Sequence, residues 1–173
     1  MIFFDEQKGA VYNAGTTEQI VHSFVTCRLD MFNSLYAGLP KNQIARLQRV
    51  QNMAARLVTI RSRSDSISDI LRSLHWLPVS KRIIYKMLLI TYKTLNYSSP
   101  QYLYPILKFH TPVRNLRSAS QFQLFTPKTN TSWGDRAFVN VAPKMWNSIP
   151  LSIRQSPSVE VFKKKLKYYL FTT

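Results

Sequence analysis

The chain has 173 residues, 45% of them hydrophobic and only four of them glycine, which suits a packed core and not a disordered or low-complexity protein. Twenty-four lysines and arginines stand against eight acids, a formal net charge of +16, so the folded body should attract polyanions. The single cysteine, Cys27, excludes an internal disulfide and any cysteine-based zinc site, and the apolar runs are too short and too often broken by lysine or arginine to span a bilayer.

The charge is uneven. Residues 1–30 carry two bases and four acids, while the remainder nets +18. Phe3-Phe4 runs straight into Asp5-Glu6, which does not read as a signal peptide. The expectation is an intracellular protein, nuclear or cytoplasmic, with no membrane partner. Residues 1–15 show no clear period and read as an unmatched leader, either unstructured or an edge strand. Residues 16–173 read as one helical region, divided near residues 74–79 and again near 108–132.

The first helix opens at Thr16-Thr17-Glu18, with hydroxyl caps and an acid in its first turn. Ile20, Val21, Phe24, Val25, Phe32, Leu35 and Tyr36 fall on one side at about 100° per residue. Arg28 projects from that face. Either its stem packs and its head stays wet, or it forms a buried ion pair with Asp65, Asp69, Asp135 or Glu160. Ala37-Gly38-Leu39-Pro40 breaks the chain. A second helix follows over residues 41–60, with Ile44, Leu47, Ala54, Ala55 and Val58 inward, widened by Val50 and Leu57. Arg46, Arg49 and Arg56 make a stripe on the opposite side, a solvated face or a phosphate-contacting one.

A polar loop, residues 61–66, leads to a short helix capped by Ser66 or Ser68, with Ile67, Ile70, Leu71 and Leu74 inward. Leu74-His75-Trp76-Leu77-Pro78-Val79 then forms an apolar hinge. Pro78 forbids helix through the junction and pushes Leu77 towards extended geometry. Trp76 is expected as a central core residue and His75 as a packed, hydrogen-bonded histidine. The next helix, residues 81–95, is capped by Ser80, with Ile83, Ile84, Met87, Leu88 and Leu95 inward. Arg82, Lys86 and Lys93 share a narrow sector as a second basic ridge. Tyr85, Tyr92 and Tyr97 flank it, either as stacking groups for unpaired bases or as packing at the edge of the core.

Pro100 starts a short helix carrying Tyr102, Leu103, Ile106 and Leu107. Residues 108–119 form an irregular basic loop with Lys108, Arg114 and Arg117 and no acid, a phosphate-contact element or a plain connection. Gln121-Phe122-Gln123-Leu124 alternates with a period of two, as a short strand does. Residues 135–148 read as helical, with a kink or restart at Pro143. The last helix starts at Ser156-Pro157-Ser158, and Val159, Phe162, Leu166, Tyr169 and Leu170 line one face. Lys163, Lys164, Lys165 and Lys167 surround the rest, suiting the helix dipole and solubility. The fold class is therefore mainly α: an irregular bundle of about six to seven helices, with one or two short strands and long basic loops.

Chemistry is harder to find. Four glycines supply no phosphate-binding loop. His22, His75 and His110 have no paired-ligand spacing, and the acids are too scattered for the cluster that holds divalent metals in nucleotidyl transfer. No catalytic residue, metal or cofactor is assigned.

Several stretches stand together in one order. They are Phe24-Val25-Thr26-Cys27-Arg28-Leu29-Asp30, Asn33-Ser34-Leu35, Ala37-Gly38-Leu39-Pro40-Lys41, Leu47-Gln48-Arg49-Val50-Gln51-Asn52-Met53-Ala54-Ala55-Arg56 and the hinge. Further on come Arg114-Asn115-Leu116-Arg117-Ser118, Gly134-Asp135-Arg136-Ala137-Phe138, Ala142-Pro143-Lys144-Met145-Trp146-Asn147-Ser148-Ile149-Pro150 and Phe162-Lys163-Lys164-Lys165-Leu166-Lys167. Over residues 18–172 this set resembles the C-terminal region, after the polymerase palm, of LINE-type (non-LTR, jockey-like) retrotransposon reverse transcriptases. The family's Tyr/Phe-Ala-Asp-Asp turn, its endonuclease domain and the Cys-rich knuckle of some relatives have no counterpart here. Met31-Phe32 stands where many relatives show Tyr-Cys. The resemblance implies a non-catalytic fragment of an RNA-directed DNA polymerase, with basic helices along a template–primer backbone of RNA or RNA–DNA hybrid. The missing palm would be its intramolecular partner. A packing module of the polymerase, or a translated element remnant with no present function, are the alternatives. The residues chosen for nucleic-acid contact, on charge and face, are Arg46, Arg49, Arg56, Arg82, Lys86, Lys93, Arg114 and Arg117.

Overall fold

A computed structural model describes residues 2–5, 10–31, 33–111 and 121–173. The chain is mainly helical, with nine α-helical segments among the described residues. It forms two compact units: residues 1–33 with 39–82, and residues 34–38 with 83–173. The boundary falls inside a continuous helix, just beyond the Pro78 hinge.

In the first unit, strands β1 (Ile2–Asp5) and β2 (Ala10–Asn13) pair antiparallel, Ile2 opposite Asn13. Helix α1 (Ala14–Val21) passes through a π-helical stretch, His22–Thr26, into α2 (Cys27–Met31). The expected face is overturned, already at Ile20 ahead of that stretch and again beyond it. A wider turn adds residues to the helix and rotates everything beyond it. Val21, Thr26 and Leu29 are buried, whereas Ile20, Phe24 and Leu35 are exposed. Arg28 is exposed as well, with no buried pair to any of the four distant acids.

Helix α3 (Lys41–Thr59) matches the expected span, and Gln51, Ala54 and Ala55 are its buried residues. Val50 and Leu57, expected inward, face solvent together with Met53. Gln51 holds the inner position because its Nε2 donates to the Leu77 carbonyl at 2.9 Å. A buried amide so satisfied outcompetes an apolar neighbour one position away. Helix α4 (Ile67–Ser73) lays Ile70 and Leu71 against Ala55, and Ile67, Leu74 and Trp76 pack around that cluster.

The hinge is a helix C-cap. The Trp76 N–H donates to the Leu71 carbonyl at 2.8 Å and the His75 N–H to the Arg72 carbonyl at 3.0 Å. This is the Schellman pattern, and it puts His75 at the left-handed position, φ +54. So His75 is exposed and not packed, and Trp76 is half-buried on the flank of the cluster rather than at its centre. The central residues are Leu77 and Val79. Helix α5 (Val79–Tyr97) begins two residues earlier than expected. Its first N–H, on Val79, donates to the Gln48 Oε1 at 2.8 Å. The cap comes from α3, not from Ser80, which lies within the helix.

In the second unit, α5 buries Ile83, Met87, Leu88, Thr91, Tyr92 and Thr94. A 3-10 turn, Gln101–Ile106, follows. Phe109 then bridges Leu124 antiparallel, with bonds from the His110 N–H to the Gln123 carbonyl and from the Phe125 N–H to the Lys108 carbonyl, both 2.8 Å. Helix α6 (Ser132–Arg136) ends at Ala137, and α7 (Phe138–Ser148) runs through Pro143 without restarting. The expected break therefore lies at Ala137, whose ψ of 144° is extended, and the Asn140 amide donates back to the Gly134 carbonyl across it at 2.7 Å. Helix α8 (Leu151–Arg154) is short, and α9 (Val159–Thr172) is capped by the Ser158 hydroxyl, which accepts from the Val161 N–H.

The centre of this unit is aromatic. Tyr92 stacks on Phe162 with centroids 4.2 Å apart, and Trp146 lies 6.1 Å from Phe162. The Tyr92 hydroxyl donates to the Ser156 carbonyl at 2.6 Å, and burial raises its pKa. Tyr92 is thus a core residue, not a stacking group beside a basic ridge. Gly38 is needed for two reasons: its φ is +80, and a Cβ there would stand 2.7 Å from the Arg136 Cγ.

Candidate nucleic-acid interface

The basic side chains divide by what holds them. In the first unit Arg46 and Arg49 stand exposed on α3, one turn apart. Arg56, from the same stripe, turns inward. Its guanidinium donates to the Ser62 carbonyl and, through both terminal nitrogens at 3.2 Å, to the Asp65 carbonyl. Asp65 in turn accepts from the Ser62 N–H at 3.2 Å. Arg56 therefore closes the loop after α3, a task for a fork of five donors.

Arg82 is held more firmly. Its Nε donates to the Asp30 Oδ1 at 2.9 Å and its Nη2 to the Oδ2 at 3.0 Å. This is the bidentate arrangement that matches guanidinium to carboxylate. Asn33 adds a third donor to Asp30 at 2.9 Å. The ridge read along α5 is divided accordingly: Arg82 is committed to Asp30 in the first unit, Lys86 is half-buried, and Lys93 is exposed in the second. Arg114 and Arg117 lie outside the described residues.

In the second unit α9 carries further cations. Lys163 donates to Glu160 at 2.8 Å. That bond holds the Glu160 carboxyl below its ordinary value, with smaller contributions from Lys164 and Lys93, and it raises Lys163 in return. Among the described residues Lys163 alone pairs directly with Glu160, and Lys164 and Lys93 act on its charge from farther off. Lys165 is tied to the Ser152 carbonyl at 3.1 Å, while Lys164 and Lys167 are exposed. The lysine run is visible in the sequence, but the pairing of Lys163 with Glu160 and the tie of Lys165 to Ser152 are not.

A second group went unnoticed in the sequence. The Trp146 Nε1 donates to the Phe122 carbonyl at 2.8 Å. Asn147 accepts from the Leu124 N–H and donates to its carbonyl, both at 2.8 Å. Arg154 donates to the Gln121 carbonyl, and its burial lowers its pKa. Among the described residues no group of histidines, cysteines and acids could hold a metal ion, and no helix is long and apolar enough to cross a membrane. No family model, curated protein or solved structure matches the chain.

Proposed function

We propose that the chain is a non-catalytic helical region of a LINE-type retroelement reverse transcriptase that contacts the template–primer backbone. The exposed cations Arg46, Arg49, Lys93 and Lys164, in a chain of twenty-four bases and eight acids, carry this reading. So few carboxylates leave positive charge for phosphates. The exposed Arg46 and Arg49, the net charge of +16 and the ordered set of family-like stretches support it. Such contacts position a nucleic acid without reading its sequence. Arg46, Arg49, Lys93 and Lys164 are the contacting residues, while Arg56 and Arg82 hold the fold.

The test is binding to an RNA–DNA hybrid across a salt series. Affinity should fall steeply with salt, because each neutralised phosphate releases counterions. Reversing Arg46 and Arg49, or Lys93 and Lys164, to glutamate should weaken binding and flatten the salt slope while the unfolding midpoint holds. Salt-independent binding, or none, refutes the proposal. The second reading, a packing module that completes the polymerase fold, has its own observation: Val50, Met53 and Leu57 on α3 and Ile60 just beyond it face outward. Under that reading the charge reversals leave hybrid binding unchanged.

A further inference from the structure

Four non-glycine residues of the described chain adopt a positive φ: Ile60, His75, Ser98 and Phe122. The first three follow helices α3, α4 and α5, where the left-handed conformation ends a helix. Phe122 does not. It lies in the strand-like segment before Leu124, at φ +50, a conformation that is costly for a bulky side chain. Neighbouring groups hold it there. Trp146 bonds the Phe122 carbonyl, Arg154 the preceding carbonyl of Gln121, and Asn147 brackets Leu124 on both sides.

Burial of the ring does not explain this. Phe122 is 49% exposed, and Phe109, against which it packs edge-to-face at 6.4 Å, is 48% exposed. The backbone is thus held in a strained state, and the outcome is a pair of phenylalanines facing solvent. We propose that Phe109 and Phe122 form a stacking seat for an unpaired base of a single-stranded nucleic acid. The inference rests on the nucleic-acid reading above and adds a ligand class to it.

The surroundings favour a base over an apolar protein surface. From residue 108 to residue 134 there is no acid, and residues 83–173 carry thirteen lysines and arginines against Asp135 and Glu160. Lys108 and Lys128 are exposed in the same stretch, a positive charge that suits the phosphates of a nucleic-acid strand. Any base offers a π-face to such a seat, so the contact tolerates sequence.

The experiment uses the full chain and three ligands: a blunt RNA–DNA hybrid, the same hybrid with a single-stranded overhang, and the same hybrid with an abasic overhang of equal length and charge. The base-bearing overhang should bind roughly tenfold tighter than the abasic one. Phe122→Asn should abolish that difference, because asparagine accepts the left-handed backbone and lacks the ring, and Phe122→Trp should keep it. Equal affinity for the two overhangs in the unaltered chain overturns the stacking seat. If blunt hybrid still binds with a salt dependence, the backbone reading survives that failure. Absence of binding to all three ligands overturns both. If base and abasic overhangs bind equally and Phe122→Asn instead weakens self-association in sedimentation, the rings are a protein contact and the seat is refuted.

Discussion

Replacing Arg82 with methionine separates a structural cation from a binding one. Methionine keeps the length and apolar stem of arginine but removes the guanidinium, leaving Asp30 with the Asn33 amide in place of its bidentate partner. The pair is mostly shielded, with side-chain exposures of 15% for Arg82 and 25% for Asp30. Breaking a fully buried pair costs about 3–5 kcal/mol and an exposed one under about 1 kcal/mol, so this geometry sets the loss near 2 kcal/mol. For a chain of this size that is a fall of about 4–8 °C in the unfolding midpoint. Thermal unfolding followed by circular dichroism measures it, and a double-mutant cycle with Asp30→Asn isolates the coupling. Hybrid affinity, measured well below the midpoint, should change little, in contrast to the Arg46 and Arg49 reversal. An unchanged midpoint together with a tenfold loss of hybrid affinity would refute this assignment and return Arg82 to the interface.

Tyr92→Phe leaves the stacked ring but strips the donor from the Ser156 carbonyl, so denaturant unfolding should report a loss of about 1–2 kcal/mol. The raised pKa of Tyr92 also adds a pH dependence. Its folded pKa lies above the unfolded one, so the stability it contributes is complete below about pH 10 and is lost as pH rises through the folded value; the phenylalanine variant should lack that alkaline loss. Ile60→Gly should stabilise by about 0.5–1 kcal/mol, because glycine relieves a β-branched residue at φ +51 and the side chain it removes is 59% exposed. A lower midpoint for that variant would show that the Ile60 side chain has a partner. The Asp135 carboxyl is held below its ordinary value, first by the Thr129 hydroxyl and then by Lys144; Thr129→Val should move its NMR titration upward, and no movement would sink that attribution.

The helical class and several spans were readable because they rest on period and punctuation. Helix α3 follows its Gly38-Leu39-Pro40 entry, and α9 follows Ser158 and buries Phe162, Leu166 and Leu170 at the expected spacing. What could not be read depends on distant partners. Phe24 lies in a π-helical stretch and faces solvent, yet nothing in His22-Ser23-Phe24-Val25-Thr26 distinguishes that stretch from ordinary helix. Gln48 and Gln51 look like surface residues until their amides meet Val79 and Leu77. At His75 the helix-ending position carries histidine where glycine is the usual marker, so the hinge showed its proline but not its cap.

The interface was less legible for a reason that follows from composition. With eight acids for twenty-four bases, the free cations are those left after the acids and carbonyls have taken theirs. Position on a helical face does not decide this. Arg46, Arg49 and Arg56 share a stripe, yet the loop carbonyls of Ser62 and Asp65 claim Arg56 and leave the other two exposed. Arg82 and Lys93 share a sector, yet Asp30 takes Arg82, from fifty-two residues away. Glu160 lies at the surface: it pairs with Lys163, and Lys164 and Lys93 act on its charge from farther off. The scarce acids therefore decide which cations remain unpaired. Glu160→Gln follows from this as a test, because it keeps the shape of the side chain and removes its charge. If phosphates are what the surplus charge meets, the variant should bind hybrid more tightly at low salt, with the difference vanishing as salt is raised. Weaker binding at every salt concentration would mean that Glu160 holds the lysines in position, and that their placement rather than their excess charge decides the contact.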